Sequence, residues 1–248
     1  TLLLWLNRSH LWIAMGGMCL TAGTFRAVGA PCDLYYLILA GTLVWLAYYF
    51  LKRNEWTWST QWAALPLTLL ILVGNSYLHW LWLVVIPPVL LYDLKWLTVW
   101  RGKWRGIRYS WWLKPLVIAG CWVCVTAVFP LVCLGQLQSG RTEIIAQLLF
   151  VLAMTWAGDL RDTEADQGNC RTLVQVAGPK IVLALIVLCV VGSFLMVAIR
   201  TQLPWVALEG VAMALIVYAI LRYEKNWQRQ TWWLDALLPA RFLLMLLV

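Results

Sequence analysis

The chain has 248 residues, of which 63% are hydrophobic and 12% are charged, and its formal net charge is +8. A soluble domain is about 45–50% apolar and about 25% charged, so this composition excludes a soluble globular protein and indicates a polytopic membrane protein. No basic run is interleaved with aromatic residues on a soluble surface. We therefore attribute the positive charge to membrane topology and exclude nucleic acid as a partner.

Long apolar runs predict about nine transmembrane helices, and hence an all-α membrane bundle. In chain order the runs cover residues 9–26, 34–51, 60–76, 78–94, 112–135, 143–160, 180–200, 204–222 and 231–248. Many of the 19 Trp residues flank these runs, as expected for side chains at the membrane–water interface.

The distribution of Lys and Arg predicts a cytoplasmic N-terminus. With nine spans, most cations fall on the side of the N-terminus, whereas the opposite loops hold only Arg26, Arg141 and Arg200. Such an excess of positive charge is typical of cytoplasmic loops. The loops are also compact, which favours a bacterial inner (plasma) membrane protein.

Carboxylates are concentrated in one polar segment, residues 158–180, between two apolar runs. Asp159, Asp162 and Asp166 are spaced i, i+3, i+7, which predicts one stripe on a helix, with Arg161 and Glu164 pointing elsewhere. Three like charges on one stripe favour a hard divalent cation such as Mg²⁺, which carboxylates hold together with substrate phosphates. The alternative is a solvated, charged loop between two membrane helices. The topology predicted from the Lys and Arg distribution places this segment on the cytoplasmic side.

Two cations follow this stripe. Arg171 and Lys180 lie just downstream of the carboxylates, where they could contact the phosphates of a substrate.

The same segment resembles a known motif. Asp159, Asp162 and Asp166, continued by Arg171-Thr172-Leu173 and Gly178-Pro179, resemble the second aspartate-rich motif of the UbiA superfamily of intramembrane prenyltransferases, D-x-x-D-x-x-x-D. The residues around Asp93 and Asp235 show weaker similarity to this superfamily. The predicted count of nine helices also agrees with it. The resemblance therefore covers the whole chain, residues 1–248, as a single transmembrane domain.

This resemblance implies a bundle of nine helices around a central cavity, in which Mg²⁺ and a prenyl diphosphate bind. The protein would transfer the prenyl group to an aromatic or other lipophilic acceptor. Asp159, Asp162 and Asp166 would be the metal ligands and catalytic residues. Arg171 and Lys180 would contact the diphosphate, and stabilise the leaving group as the allylic C–O bond breaks.

The sequence departs from the family pattern after the second predicted helix. A first aspartate-rich motif belongs there, but residues 48–55 contain no aspartate, and Lys52 and Arg53 occupy the place. These cations could bind the diphosphate directly. Alternatively, the chain has lost transfer chemistry and serves as a lipid-, pigment- or quinone-associated structural subunit of a larger membrane complex.

Two other classes of membrane protein fit less well. An intramembrane aspartyl protease would use Tyr92-Asp93 and Gly158-Asp159, but the glycine expected two residues before Gly158 is Trp156. A bis-histidine haem protein would need His10 and His79, which the predicted topology places on opposite sides of the membrane.

Overall fold

A computed structural model describes residues 11–51, 107–163 and 172–246. Throughout these ranges the chain is helical and contains no strand. The eight α-helices are α1 (Leu11–Ala27), α2 (Leu34–Leu51), α3 (Leu113–Cys133), α4 (Arg141–Arg161), α5 (Leu173–Ala177), α6 (Pro179–Thr201), α7 (Trp205–Tyr223) and α8 (Trp227–Leu246). A 3₁₀ turn, Ile107–Tyr109, precedes α3.

Each of the seven long helices coincides with a predicted span. Four of them, α3, α4, α6 and α7, are long and apolar enough to cross a membrane. For the described ranges, the prediction of an all-α integral membrane protein is therefore confirmed. The count of nine spans stays a prediction, because the segments 60–76 and 78–94 lie outside the described residues.

Helix α4 is the centre of the packing. It contacts α1, α3, α6, α7 and α8. Its Phe150 is fully buried and meets Phe194 of α6 edge-to-face, with ring centroids 6.5 Å apart. Ile186 and Val190 of α6 are also fully buried in this core. Aromatic and aliphatic contacts of this kind fill the space between the helices and fix their separation.

A buried polar network joins α1, α3 and α4. The Gln147 side-chain amide donates to the Thr24 hydroxyl at 2.7 Å and to the Leu20 carbonyl at 2.9 Å. Its carbonyl oxygen accepts from the Thr126 hydroxyl at 2.8 Å. Thr126 lies in a π-helical turn, Cys124–Val128, inside α3. Buried polar groups need such partners, so the network fixes the register of these three helices.

The described bundle has two polar ends, which we name after their buried carboxylates. At the Asp159 end, the start of α3 meets the end of α4, and Arg161 contacts Thr231 near the start of α8. At the Glu143 end, the start of α4 meets the last turn of α6 and the later part of α8. Helix α4 therefore runs antiparallel to α3, α6 and α8.

Candidate functional site

Asp159 lies in the last turn of α4 and is buried, with 4% of its surface exposed. The Lys114 ammonium, at the second position of α3, donates to its carboxylate at 2.5 Å. Both side chains are largely shielded from water, so their attraction is much stronger than that of a surface pair. The contact brings the start of α3 and the end of α4 together at one end of the bundle.

Asp162 directly follows the last residue of α4. Its backbone N–H donates to the Gly158 carbonyl at 2.9 Å, which completes the last turn. The Arg161 guanidinium donates to both Asp162 carboxylate oxygens at 2.6 Å and to the Thr231 hydroxyl at 3.0 Å. A bidentate contact of this kind fixes the orientation of both side chains. The bond from Arg161 to Thr231 ties the end of α4 to α8.

This geometry corrects one expectation. Arg161 was expected to point away from the carboxylate stripe, but it holds Asp162. The Arg161 side chain is long enough to reach the adjacent carboxylate, which lies at the C-cap where α4 ends. Continuation of the stripe to Asp166 stays a prediction, because Asp166 lies outside the described residues.

Several predicted site residues lie outside the described part of the chain. They are Lys52, Arg53, Asp166 and Arg171. Their roles stay predictions.

Lys180 is the second residue of α6 and is exposed. Gly178 lies two residues before it and has a φ of +86°, a conformation that favours glycine. This conformation lets α5 turn directly into α6. Helix α5 in turn contacts α4. Within the described ranges Lys180 makes no ion pair.

The described carboxylates do not by themselves fit a magnesium site. Among the residues the structure describes, no three His, Cys, Asp or Glu side chains are grouped so that they could hold a metal ion. Asp159 is neutralised by Lys114 and Asp162 by Arg161, so a cation would have to displace both. Magnesium binding through Asp159, Asp162 and Asp166 stays a prediction.

Sequence reasoning missed two parts of this arrangement. Lys114 was not predicted as a site residue, although it pairs with Asp159. Glu143 was not singled out at all, yet it is fully buried and pairs with Arg200 and Arg241. The available signal was a glutamate and an arginine within predicted spans, since ionisable residues inside a membrane are costly and usually paired.

Comparison of the chain with protein-family models, with curated proteins and with solved structures gives no match in any of the three.

Proposed function

We propose that the chain is an intramembrane transferase that uses a prenyl diphosphate, as its resemblance to the UbiA superfamily implies. The observation that carries the proposal is the buried contact between Lys114 and Asp159. It joins a cation at the start of α3 to the first carboxylate of the acidic motif, at one end of the bundle. Such a charged pair in a membrane bundle is typical of a functional site.

The cations of this end supply the chemistry that a diphosphate needs. A diphosphate carries about three negative charges and binds where ammonium and guanidinium groups converge. Lys114, Arg161 and Lys180 are the described candidates. As the allylic C–O bond breaks, the diphosphate leaves with the electron pair, and these cations stabilise its growing charge. The allylic carbon then bonds to the acceptor, which loses a proton.

The remaining features of the proposal follow from the resemblance and from the charge pattern. They are nine membrane spans around a central cavity, an aromatic or other lipophilic acceptor, and a bacterial inner membrane with the Asp159 end in the cytoplasm. Prenyl diphosphates are water-soluble at one end and lipophilic at the other, so a cavity open to both phases suits them.

A specific observation favours a second candidate, a structural subunit without transfer activity. Both described carboxylates of the motif are already neutralised by cations of the same chain. Ion pairs of this kind stabilise the ends of helices without any ligand. On this alternative, the fold binds lipid, pigment or quinone within a larger membrane complex.

The decisive experiment is binding of geranylgeranyl diphosphate to the purified protein by calorimetry, with and without Mg²⁺. We expect binding, and we expect Lys114→Gln to weaken it about tenfold, which is about 1.4 kcal/mol. Lys225→Gln is the matched control, because Lys225 is exposed at the same end and lies outside the motif. Absence of binding in both conditions would exclude the transferase and leave the structural subunit.

Magnesium and turnover are tested separately. If the acidic motif holds Mg²⁺, Asp162→Asn abolishes the metal-dependent part of binding while the protein stays folded. Release of diphosphate in the presence of membrane lipid extract then distinguishes a transferase from a protein that only binds the substrate. Binding without release would contradict transfer activity.

A further inference from the structure

The most unusual charged group in the described bundle lies far from the acidic motif. Glu143, in the first turn of α4, is fully buried. One carboxylate oxygen accepts from Arg241 Nη1 at 3.1 Å and the other from Arg200 Nη1 at 3.3 Å. We call these three residues the Glu143 cluster. It joins α4, α6 and α8 at the end opposite Asp159.

The cluster contains more positive than negative charge. Two guanidinium groups share one carboxylate, so among the described residues the cluster has a formal charge of +1. The other acidic residues of the described part at this end, Asp33 and Glu209, make no ion pair with either arginine. Arg241 is buried and Arg200 is partly exposed, so an anion that binds at Arg200 would balance the excess positive charge.

One arginine of the cluster carries a buried donor without a partner among the described residues, and the other arginine reaches the surface. The Arg241 side chain is 1% exposed, and its Nη2 has no hydrogen-bond partner among the described residues. Its guanidinium carbon lies 5.5 Å from the centre of the Phe150 ring, a contact that holds the group in place. Arg200 is 21% exposed, so the cluster also reaches the surface at the end of α6.

The chemistry of these donors favours phosphate. A guanidinium presents five N–H groups in a planar fork that matches the oxygens of phosphate, and it stays charged when buried. Because Arg200 lies in the last turn of an apolar helix long enough to span a membrane, the cluster opens where lipid headgroups lie.

We propose that the Glu143 cluster is a binding site for a phosphate group, contacted by Arg200 and Arg241, with Glu143 as the internal counterion. The phosphate belongs either to the headgroup of an anionic phospholipid or to a free phosphate ion. This site is separate from the Asp159 end and does not depend on the proposed transferase activity.

The test measures binding to the purified protein in uncharged detergent. Phosphatidylglycerol and, as a zwitterionic control, phosphatidylcholine are each titrated and counted by native mass spectrometry. Inorganic phosphate is titrated separately by thermal unfolding, with chloride at equal ionic strength as its control. A preference for phosphatidylglycerol identifies a lipid headgroup, and stabilisation by inorganic phosphate alone identifies a free ion. No preference in either titration overturns the proposal.

Substitutions separate a binding site from a purely structural ion pair. Arg200→Gln, on the partly exposed arginine, should weaken binding about tenfold, whereas Arg222→Gln, exposed at the opposite end, should leave it unchanged. Glu143→Gln removes the internal counterion and should strengthen anion binding about tenfold, with stability partly restored by the anion. If Glu143→Gln only destabilises the protein and anion binding does not increase, the cluster is structural and the proposal is wrong.

Discussion

The two ion pairs at the Asp159 end differ in how much they contribute to the free energy of unfolding. Removing one member of a buried ion pair leaves the other charge without compensation, so Asp159→Asn should lower the free energy of unfolding by about 3 kcal/mol. The carboxylate of Asp162 is 30% exposed and its partner is the adjacent residue, so Asp162→Asn should cost less than about 1 kcal/mol. Reversible unfolding in mixed micelles measures both values.

The double variant Lys114→Met with Asp159→Asn provides the control for this prediction. It removes both charges of the pair, so it should be more stable than Asp159→Asn alone. Additive losses from the two substitutions would show that the side chains do not interact.

These residue contacts show where sequence reasoning reaches its limit. The acidic segment could be recognised from its spacing, but the pairing of Arg161 with Asp162 depends on where α4 ends. A helix end is the least certain part of any prediction from periodicity. The contacts of Glu143 with Arg200 and Arg241 join three separate helices, and no local pattern indicates which helices become neighbours.

At the scale of elements, the π-helical turn of α3 is the feature with the clearest energetic role. A π turn interrupts regular α-helical bonding, and it is retained where the altered direction of a side chain is useful. Here it carries Thr126, whose hydroxyl lies 2.9 Å from the Trp122 carbonyl and 2.8 Å from the Gln147 carbonyl oxygen. The turn thus connects α3 to the polar network of α1 and α4.

Thr126→Val tests this role with little change in shape. It leaves the buried Gln147 oxygen without the hydroxyl donor, so we expect a loss of about 1–3 kcal/mol in the free energy of unfolding. Thr155→Val is the matched control, because the Thr155 hydroxyl donates only within α4, to the Val151 carbonyl at 2.9 Å. Thr155→Val should cost less than about 0.5 kcal/mol, since the Thr155 hydroxyl joins no second helix. Equal losses from the two substitutions would contradict a role for the network in joining helices.

At the scale of the whole molecule, the predicted architecture succeeded where it depended on apolar length. The run 180–200, for example, became Pro179–Thr201, because a stretch of this length and composition forms a helix wherever it is buried in lipid or protein. The order in which the helices pack could not be predicted in the same way. Helix α1 contacts α8 across almost the full length of the chain, and such contacts depend on the complementarity of two surfaces rather than on either sequence alone.

The alternation of the helices yields a prediction about sidedness. Cys32, between α1 and α2, is exposed near the Glu143 end, and Lys225, between α7 and α8, is exposed at the Asp159 end. An impermeant maleimide should therefore label Cys32 from one side of sealed vesicles, and a Lys225→Cys variant from the other. Each test uses a protein whose remaining native cysteines are replaced by alanine. The excess of cations at the Asp159 end predicts that the Lys225→Cys protein is labelled from the cytoplasmic side.

The rate of labelling should also depend on pH in a defined direction. Desolvation, and then the negative charge of Asp33, raise the pKa of the Cys32 thiol above its usual value. A raised pKa lowers the thiolate fraction at neutral pH, so the reaction should be slow at about pH 7 and accelerate up to and beyond about pH 8.5. An Asp33→Asn variant removes the charge and should react faster at neutral pH.

If Cys32 and the Lys225→Cys position are labelled from the same side, the two polar ends do not face opposite sides of the membrane.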